Sequence, residues 1–457
     1  MPSIGKVRLI FGVIILITLI SVEVVWQYRP IAWSPESQIT YGPGDSRIVD
    51  IAADPSGALH LVWEDTRDGS NQVFYKASAD NGLTWGPDVR LSNLSSHTID
   101  PLPRLASNGR RVLVFFSGGT GNGEHLLYAA STDSGSTFAA EKELTNDPGY
   151  QTNAAVSVDG ATVHLVWQNF LQGNEHIYYM KSLDAGATWS PGTALTSATG
   201  QDRHPAITTF GKNVFVAWTR YDEGEDAVFF KASHDGGATW LTEVQLSGYE
   251  PSGFSIFPSI ATNGTRVDVV WNGGHVLYVQ SPNAGLAWGP LQPLTNQTRQ
   301  YLAPKVSTLG SRLQVVVAAI SIVGNDVSSI SSDIYYLESV DGGNAWSEPI
   351  SLTAHYTGLQ SLAPAIAVRG DDTFVAWEDN RNGSLAIFIR SKPDFAELQA
   401  FQKPLVTYAL IALTITMATY LILEIRHRSK RLVQARRRAR RRRRPTVRTK
   451  RTRRTVH

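Results

Sequence analysis

Short runs of β-branched and aromatic residues, bounded by Gly and Asn, recur along the chain in the manner of half-buried β-strands. One kind is plainest at Leu59–Trp63, Val163–Trp167, Val214–Trp218 and Phe374–Trp377, another at Val73–Tyr75, Ile177–Tyr179, Val228–Phe230 and Ile334–Tyr336. After the second kind comes an eight-residue pattern, Ser-x-Asp-x-Gly-x-Thr-Trp, complete at Ser233–Trp240 and repeated from Ser78, Ser131, Ser182, Ser281 and Ser339. Its terminal aromatics, Trp85, Phe138, Trp189, Trp240, Trp288 and Trp346, are 53, 51, 51, 48 and 58 residues apart. A repeat near that length built from strands predicts a β-propeller or β-solenoid. Each unit reads as strand, turn, strand, loop, strand, eight-residue turn, strand.

The pattern has a physical reading. An Asp such as Asp235 accepts hydrogen bonds from the N–H groups of its own turn, Gly237 supplies positive φ, and the Trp packs between sheets. A further unit starts near Ala363, runs through Trp377 and Ile387–Ile389, and stops before a fourth strand at Ser391-Lys392-Pro393-Asp394. The missing strand stands at the other end of the repeats. Ala32–Thr40 matches Thr84–Ser92, and Trp33 precedes Trp85 by 52 residues. The N-terminal segment is therefore expected to complete the last sheet and close a ring of seven, leaving no sheet edge unpaired. Of 12 tryptophans, only Trp26 lies outside the repeat, so these rings are expected in the core between sheets.

The eight-residue pattern resembles the Asp-box, or BNR repeat, of sialidase-like β-propellers, over roughly residues 31–395. The fold class is thus all-β, a seven-bladed propeller, with a six-bladed ring as the alternative because the catalytic domain of that family has six. The resemblance implies an arginine triad for a substrate carboxylate, the first arginine in Phe-Arg-Ile-Pro, a Tyr/Glu nucleophile pair and an Asp acid/base. Ser46-Arg47-Ile48-Val49 and Asp202-Arg203-His204-Pro205 each match that motif in part. Arg47 and Arg203 are expected at the pore mouth opposite the boxes, three blades apart and facing across the ring instead of converging. Polar loops on the same face add Glu64, Asp65 and Arg67, then Tyr221, Glu225 and Asp226, then Glu378, Asp379 and Arg381 as ligand-binding candidates, with His204 beside Arg203. A carboxylate pair among them could serve glycoside hydrolysis at the right separation. Trp-Glu-Asp-x-Arg-x-Gly occurs at both Trp63 and Trp377, which equally suits repeat architecture with Asp and Arg bracing a loop. No metal-ligand spacing, P-loop or nucleophile elbow is present, so neither metal nor cofactor is expected.

Charge alters the picture at the ends. The chain has no cysteine and a net charge of +2, but Ile31–Lys403 holds 22 Lys/Arg against 38 Asp/Glu, whereas Arg426–His457 holds 17 Lys/Arg and no acid. An acidic propeller is a poor nucleic-acid binder, since that affinity comes from neutralising phosphates. Residues 9–28 and 404–425 are apolar stretches of membrane-spanning length. Basic residues flank them at 1–8 and 426–457, which puts both termini in the cytoplasm and residues 31–395 outside the cell. The Arg-rich tail is expected to rest on anionic lipid. The resulting expectation is a two-pass cell-membrane protein displaying a propeller that binds a glycan or a cell-surface protein, the alternative being an exo-glycosidase of sialidase type.

Overall fold

Among the described residues the strands form seven four-stranded antiparallel sheets. The computed structural model describes residues 33–393, apart from 55, 95–99, 120–122, 147–148, 198–199, 249–255, 297–298, 323–329 and 354–358, together with 419–438 apart from 421 and 424. The chain divides into two compact units, Trp33–Asp394 and a second made of Met1–Ala32 with Phe395–His457. In the second unit the described residues are helical. Among the described residues no helix is long and apolar enough to cross a membrane. The expected spans lie outside the described residues, 9–28 wholly and 404–425 as far as 418.

Blade one shows the common plan: Ser46–Ala53, Leu59–Asp65, Gln72–Ser78 and Val89–Arg90, paired in that order. The first strands of blades two to seven are Arg104–Asn108, Tyr150–Asp159, Gln201–Phe210, Ile256–Thr262, Gln300–Leu309 and Ser361–Arg369. Each first strand touches those of both neighbouring blades, so the ring closes around a central pore. Closure is made by the segment expected from the sequence. Ser37–Gln38 lies on Ala386–Lys392 as the fourth strand of blade seven, with Ser37 opposite Ile389 and Gln38 opposite Phe388. The Ile39 N–H donates to Ile387 O at 2.7 Å and the Ile387 N–H to Thr40 Oγ1 at 2.9 Å.

The apolar core is distributed in layers between blades. One cluster joins blades one and two through Val62, Tyr75, Leu105 and Phe116, another joins blades three and four through Val166, Tyr179, Val214 and Trp218, and every other interface has its own. Trp63, Trp167, Trp218, Trp271 and Trp377, which stand near the end of the second strands, are fully buried.

The eight-residue turns connect third to fourth strands. In the copy at Ser233, the Ser233 hydroxyl donates to Asp235 Oδ1 at 2.8 Å and accepts the Gly237 N–H at 2.8 Å. Asp235 takes the Thr239 N–H at 2.8 Å and the Thr239 hydroxyl at 2.6 Å, and these bonds hold its carboxyl well below the usual carboxylate range. The closed turn sets Trp240 in a T-shaped contact with Tyr179 of the preceding blade, with ring centroids 5.1 Å apart. Phe138 meets Tyr75, Trp288 meets Phe230, Trp346 meets Tyr278 and Trp33 meets Tyr336 in the same way.

Gly237 has φ +76°, and a Cβ there would run into the Tyr179 hydroxyl. Gly237→Ala is therefore expected to cost about 2–4 kcal/mol, from left-handed strain plus overpacking. Gly211, at φ +59° with open space around it, is the control. Gly211→Ala should cost about 1 kcal/mol. Denaturant titration of both variants checks the difference.

Candidate functional site

The first strands enter the ring at the face opposite the boxes, and six of the seven break their register there. Pairing shifts between Arg47 and Asp50, Thr152 and Ala155, Arg203 and Ala206, Ile256 and Ser259, Leu302 and Lys305, and Leu362 and Ala365. Inside each bulge one residue is left-handed: Ile48, Asn153, His204, Phe257, Ala303 and Ala363, with Leu102 matching them in blade two, at φ 47–56°. Such a conformation is disfavoured for residues with a Cβ and persists only where the surroundings enforce it. Part of that enforcement comes from the preceding blade. The Ile48 N–H donates to Glu378 Oε2 at 2.8 Å, and the His204 N–H to Gln168 Oε1 at 3.4 Å. Glu64, Gln168 and Glu378 each follow the second-strand Trp; Gln168 and Glu378 hold the bulge of the next blade, and Glu64 lies beside the corresponding Leu102.

Two residues further in, the seven strands present a belt to the pore: Asp50, Arg104, Ala155, Ala206, Ser259, Lys305 and Ala365. The belt and the bulges line one cavity of about 410 Å³. Sequence reading missed its charged members. First strands carry the weakest pattern in the repeat, and only ring closure brings residues 50, 104 and 305 together.

The sequence candidates divide into two kinds. Asp65 and Arg67 form a closed brace, with Arg67 Nε 2.8 Å from Asp65 Oδ1, Nη2 2.7 Å from Oδ2, and Nη1 2.6 Å from Asp88. Asp65 also accepts from Trp63 Nε1 at 2.9 Å and from the Ser46 hydroxyl at 2.8 Å. Blade seven repeats the device with Arg381 on Asp379 and Glu36, and blade four builds it from Arg220 on Asp202 and Glu243. Each guanidinium lies over an aromatic ring, Phe74, Phe388 or Phe229. Bidentate charge-assisted bonds of this kind saturate the donors, so these arginines hold loops.

Arg47 and Arg203 are different. Arg47 Nη2 lies 2.9 Å from Glu64 and 3.9 Å from Asp100, and Arg47 Nε, though buried, makes no hydrogen bond. Arg203 sits loosely between Glu175 at 3.5 Å and Asp226 at 3.7 Å, and over the Tyr221 ring at 5.1 Å. Tyr221 is 38% exposed. Glu225 pairs with Asp222 at the tip of the same hairpin. His204 stacks obliquely on Phe257, centroids 4.4 Å apart, and burial with the nearby Arg203 and Lys305 charges pulls its pKa down to about 4. The two arginines, in blades one and four, share no ion-pair partner among the described residues.

Glu64 is the most perturbed acid at this mouth. Its side chain is fully buried, and desolvation pushes its pKa up to about 7, because the Arg47 charge does not offset that burial and Asp100 and Glu378 oppose ionisation. Burial raises Glu378 as well. An acid whose folded pKa lies above its unfolded value favours folding below the unfolded pKa and loses that contribution as pH rises through the folded one. Glu64→Gln is therefore expected to flatten the fall of stability between about pH 4.5 and 7, gaining about 1–3 kcal/mol relative to the parent at pH 8. Denaturant melts across that range check it.

Residues 57–251 match the family model described as a BNR repeat-like domain. No curated protein matches the chain. Among solved structures the chain is similar to an ulvan lyase, a polysaccharide lyase, at TM-score 0.53 and 13% identity over 77% of this chain and 95% of that one. The same lyase bound to -[GlcA(1-4)Rha3S]- gives the same values. Similarity to the Trypanosoma rangeli sialidase is at TM-score 0.48 and 11% identity, over 82% of this chain and 62% of that one. The BNR-like repeats of residues 57–251 thus belong to a seven-bladed propeller whose fold the ulvan lyase shares.

Proposed function

We propose that the propeller is a carbohydrate-binding module whose ligand enters at the mouth where the first strands begin. The observation that carries this reading is the Arg203 cluster. A guanidinium more than 3.4 Å from both flanking carboxylates, against a partly exposed tyrosine ring, sets incompletely paired donors and acceptors beside an aromatic side chain. Sugars require that combination, since hydroxyls pair with charged groups while C–H faces pack on rings. The saturated braces at Arg67, Arg220 and Arg381 offer nothing comparable. Arg47 with Glu64 and Asp100 forms a second polar patch across the ring, which suits an extended ligand. Kinship in fold with a polysaccharide lyase is consistent with this reading and does not set the ligand.

A second reading, exo-glycosidase activity, rests on Glu64, whose carboxyl pKa of about 7 is that of a general acid at neutral pH. One experiment separates the two. The full chain in detergent is tested on an array of neutral and uronic-acid oligosaccharides and on fluorogenic glycosides. Binding is expected without fluorophore release, weakened at least tenfold, about 1.4 kcal/mol, by Arg203→Ala or Tyr221→Ala. Absence of binding, or binding indifferent to both variants, defeats the module. Release lost in Glu64→Gln establishes the hydrolase instead.

The membrane setting belongs to the same proposal. The apolar stretches at 9–28 and 404–425 would anchor the propeller outside the cell, with the basic tail on anionic lipid inside. Protease added to intact cells should then degrade the propeller and spare an epitope placed after His457. A protected propeller would reverse the topology.

A further inference from the structure

The pore belt carries charge that the mouth does not use. Asp50 spends its carboxylate on backbone, taking the Ile51 N–H at 3.0 Å and the Leu105 N–H at 2.9 Å. Arg104 donates to Pro103 O at 2.8 Å and makes no ion pair among the described residues. The Lys305 ammonium makes neither a hydrogen bond nor an ion pair among them. The other titratable side chain lining the cavity is His204, whose depressed pKa of about 4 leaves it neutral, with a buried Nδ1 that has no partner. Blades three, five and seven bring no charged group to the lining. The cavity therefore holds two cations against one carboxylate already occupied by N–H groups, and like charges that share a cavity repel unless an anion lies between them.

The geometry points to an oxyanion site in the pore, in which Lys305 and Arg104 take a sulfate, phosphate or carboxylate group. A small anion fits a cavity of about 410 Å³, and three belt alanines leave the room that bulkier side chains would fill. Arg104 supplies a planar donor fork and Lys305 a point charge, a pairing suited to tetrahedral and planar oxyanions alike. The source is either a free inorganic anion or the acid group of a larger ligand reaching inward from the mouth. The Lys305 ammonium supports the assignment: burial and the Arg104 charge pull its pKa down to about 8, while Asp50 opposes them. A bound anion would restore the charged form and draw in a proton.

That coupling supplies the test. The full chain in detergent, at pH 8 and low chloride, is titrated calorimetrically with sodium sulfate, sodium phosphate and sodium glucuronate in two buffers of different ionisation heat. Saturable binding of one anion is expected with uptake of up to about half a proton, as for a group titrating near the working pH. Lys305→Arg should bind within about threefold of the parent with the uptake gone, because arginine stays charged at pH 8. Lys305→Met and Arg104→Met should each weaken binding about tenfold or more. Saturation by sulfate or phosphate identifies a free anion, and saturation by glucuronate alone identifies the acid group of a larger ligand; either supports the site. The proposal is overturned if no anion saturates below ~10 mM, if Lys305→Met binds like the parent, or if Lys305→Arg retains the proton uptake. Since Lys305→Arg keeps the charge, its result stands even where a methionine variant fails to fold.

Discussion

One contact sets the geometry of the ring: a box aromatic set nearly perpendicular to an aromatic of the preceding blade. Trp240 on Tyr179, Phe138 on Tyr75 and Trp346 on Tyr278 fix how far each sheet turns from the last. That contact depends on the turn behind it. The Asp carboxylate can hold the turn closed only because the glycine accepts a left-handed backbone and leaves space for the neighbouring ring. A local hydrogen-bond pattern thus becomes an angle between sheets. The angle repeated seven times becomes a pore, and the pore brings together side chains that are otherwise remote.

The two faces then acquire different duties. At the box face, short-range bonds within each turn absorb the polar groups. At the opposite face the bulges spend backbone freedom to redirect the chain, and side chains of the preceding blade stabilise them. Glu64 and Glu378 are drawn into this role, and their burial follows from it, so an elevated pKa can arise from architecture alone. Among the mouth arginines, the incomplete coordination of Arg203 sets it apart from Arg67, Arg220 and Arg381, which are consumed by the fold.

Most of the fold could be read from the sequence because its rules are local. Strand pairs, box turns and the displaced Trp33 all follow from spacing and turn chemistry within a single repeat. The site was less legible for two physical reasons. Neighbouring residues on a strand face opposite ways, so Glu64 and Asp65, adjacent in a polar run, serve a bulge and a brace respectively. The belt lies one bulge beyond the mouth, where an inserted residue resets that alternation. Asp50, Arg104 and Lys305 are 54 and 201 residues apart along the chain and share no motif.

The closing strand has a consequence for how the molecule is made. Ser37–Gln38 leaves the ribosome before any blade and finds its partner, Ala386–Lys392, only after the last repeat has emerged. Blades one to six can assemble in order on neighbours already present, as repeat proteins do. The strand that completes blade seven must wait, already made, for a partner some 350 residues downstream. Until then the nascent ring has two open edges, and pairing across that separation is slow and exposed to association with other chains. Synthesis of this propeller therefore ends with its beginning, and a chaperone that shields residues 33–40 would act at the step where assembly is most vulnerable.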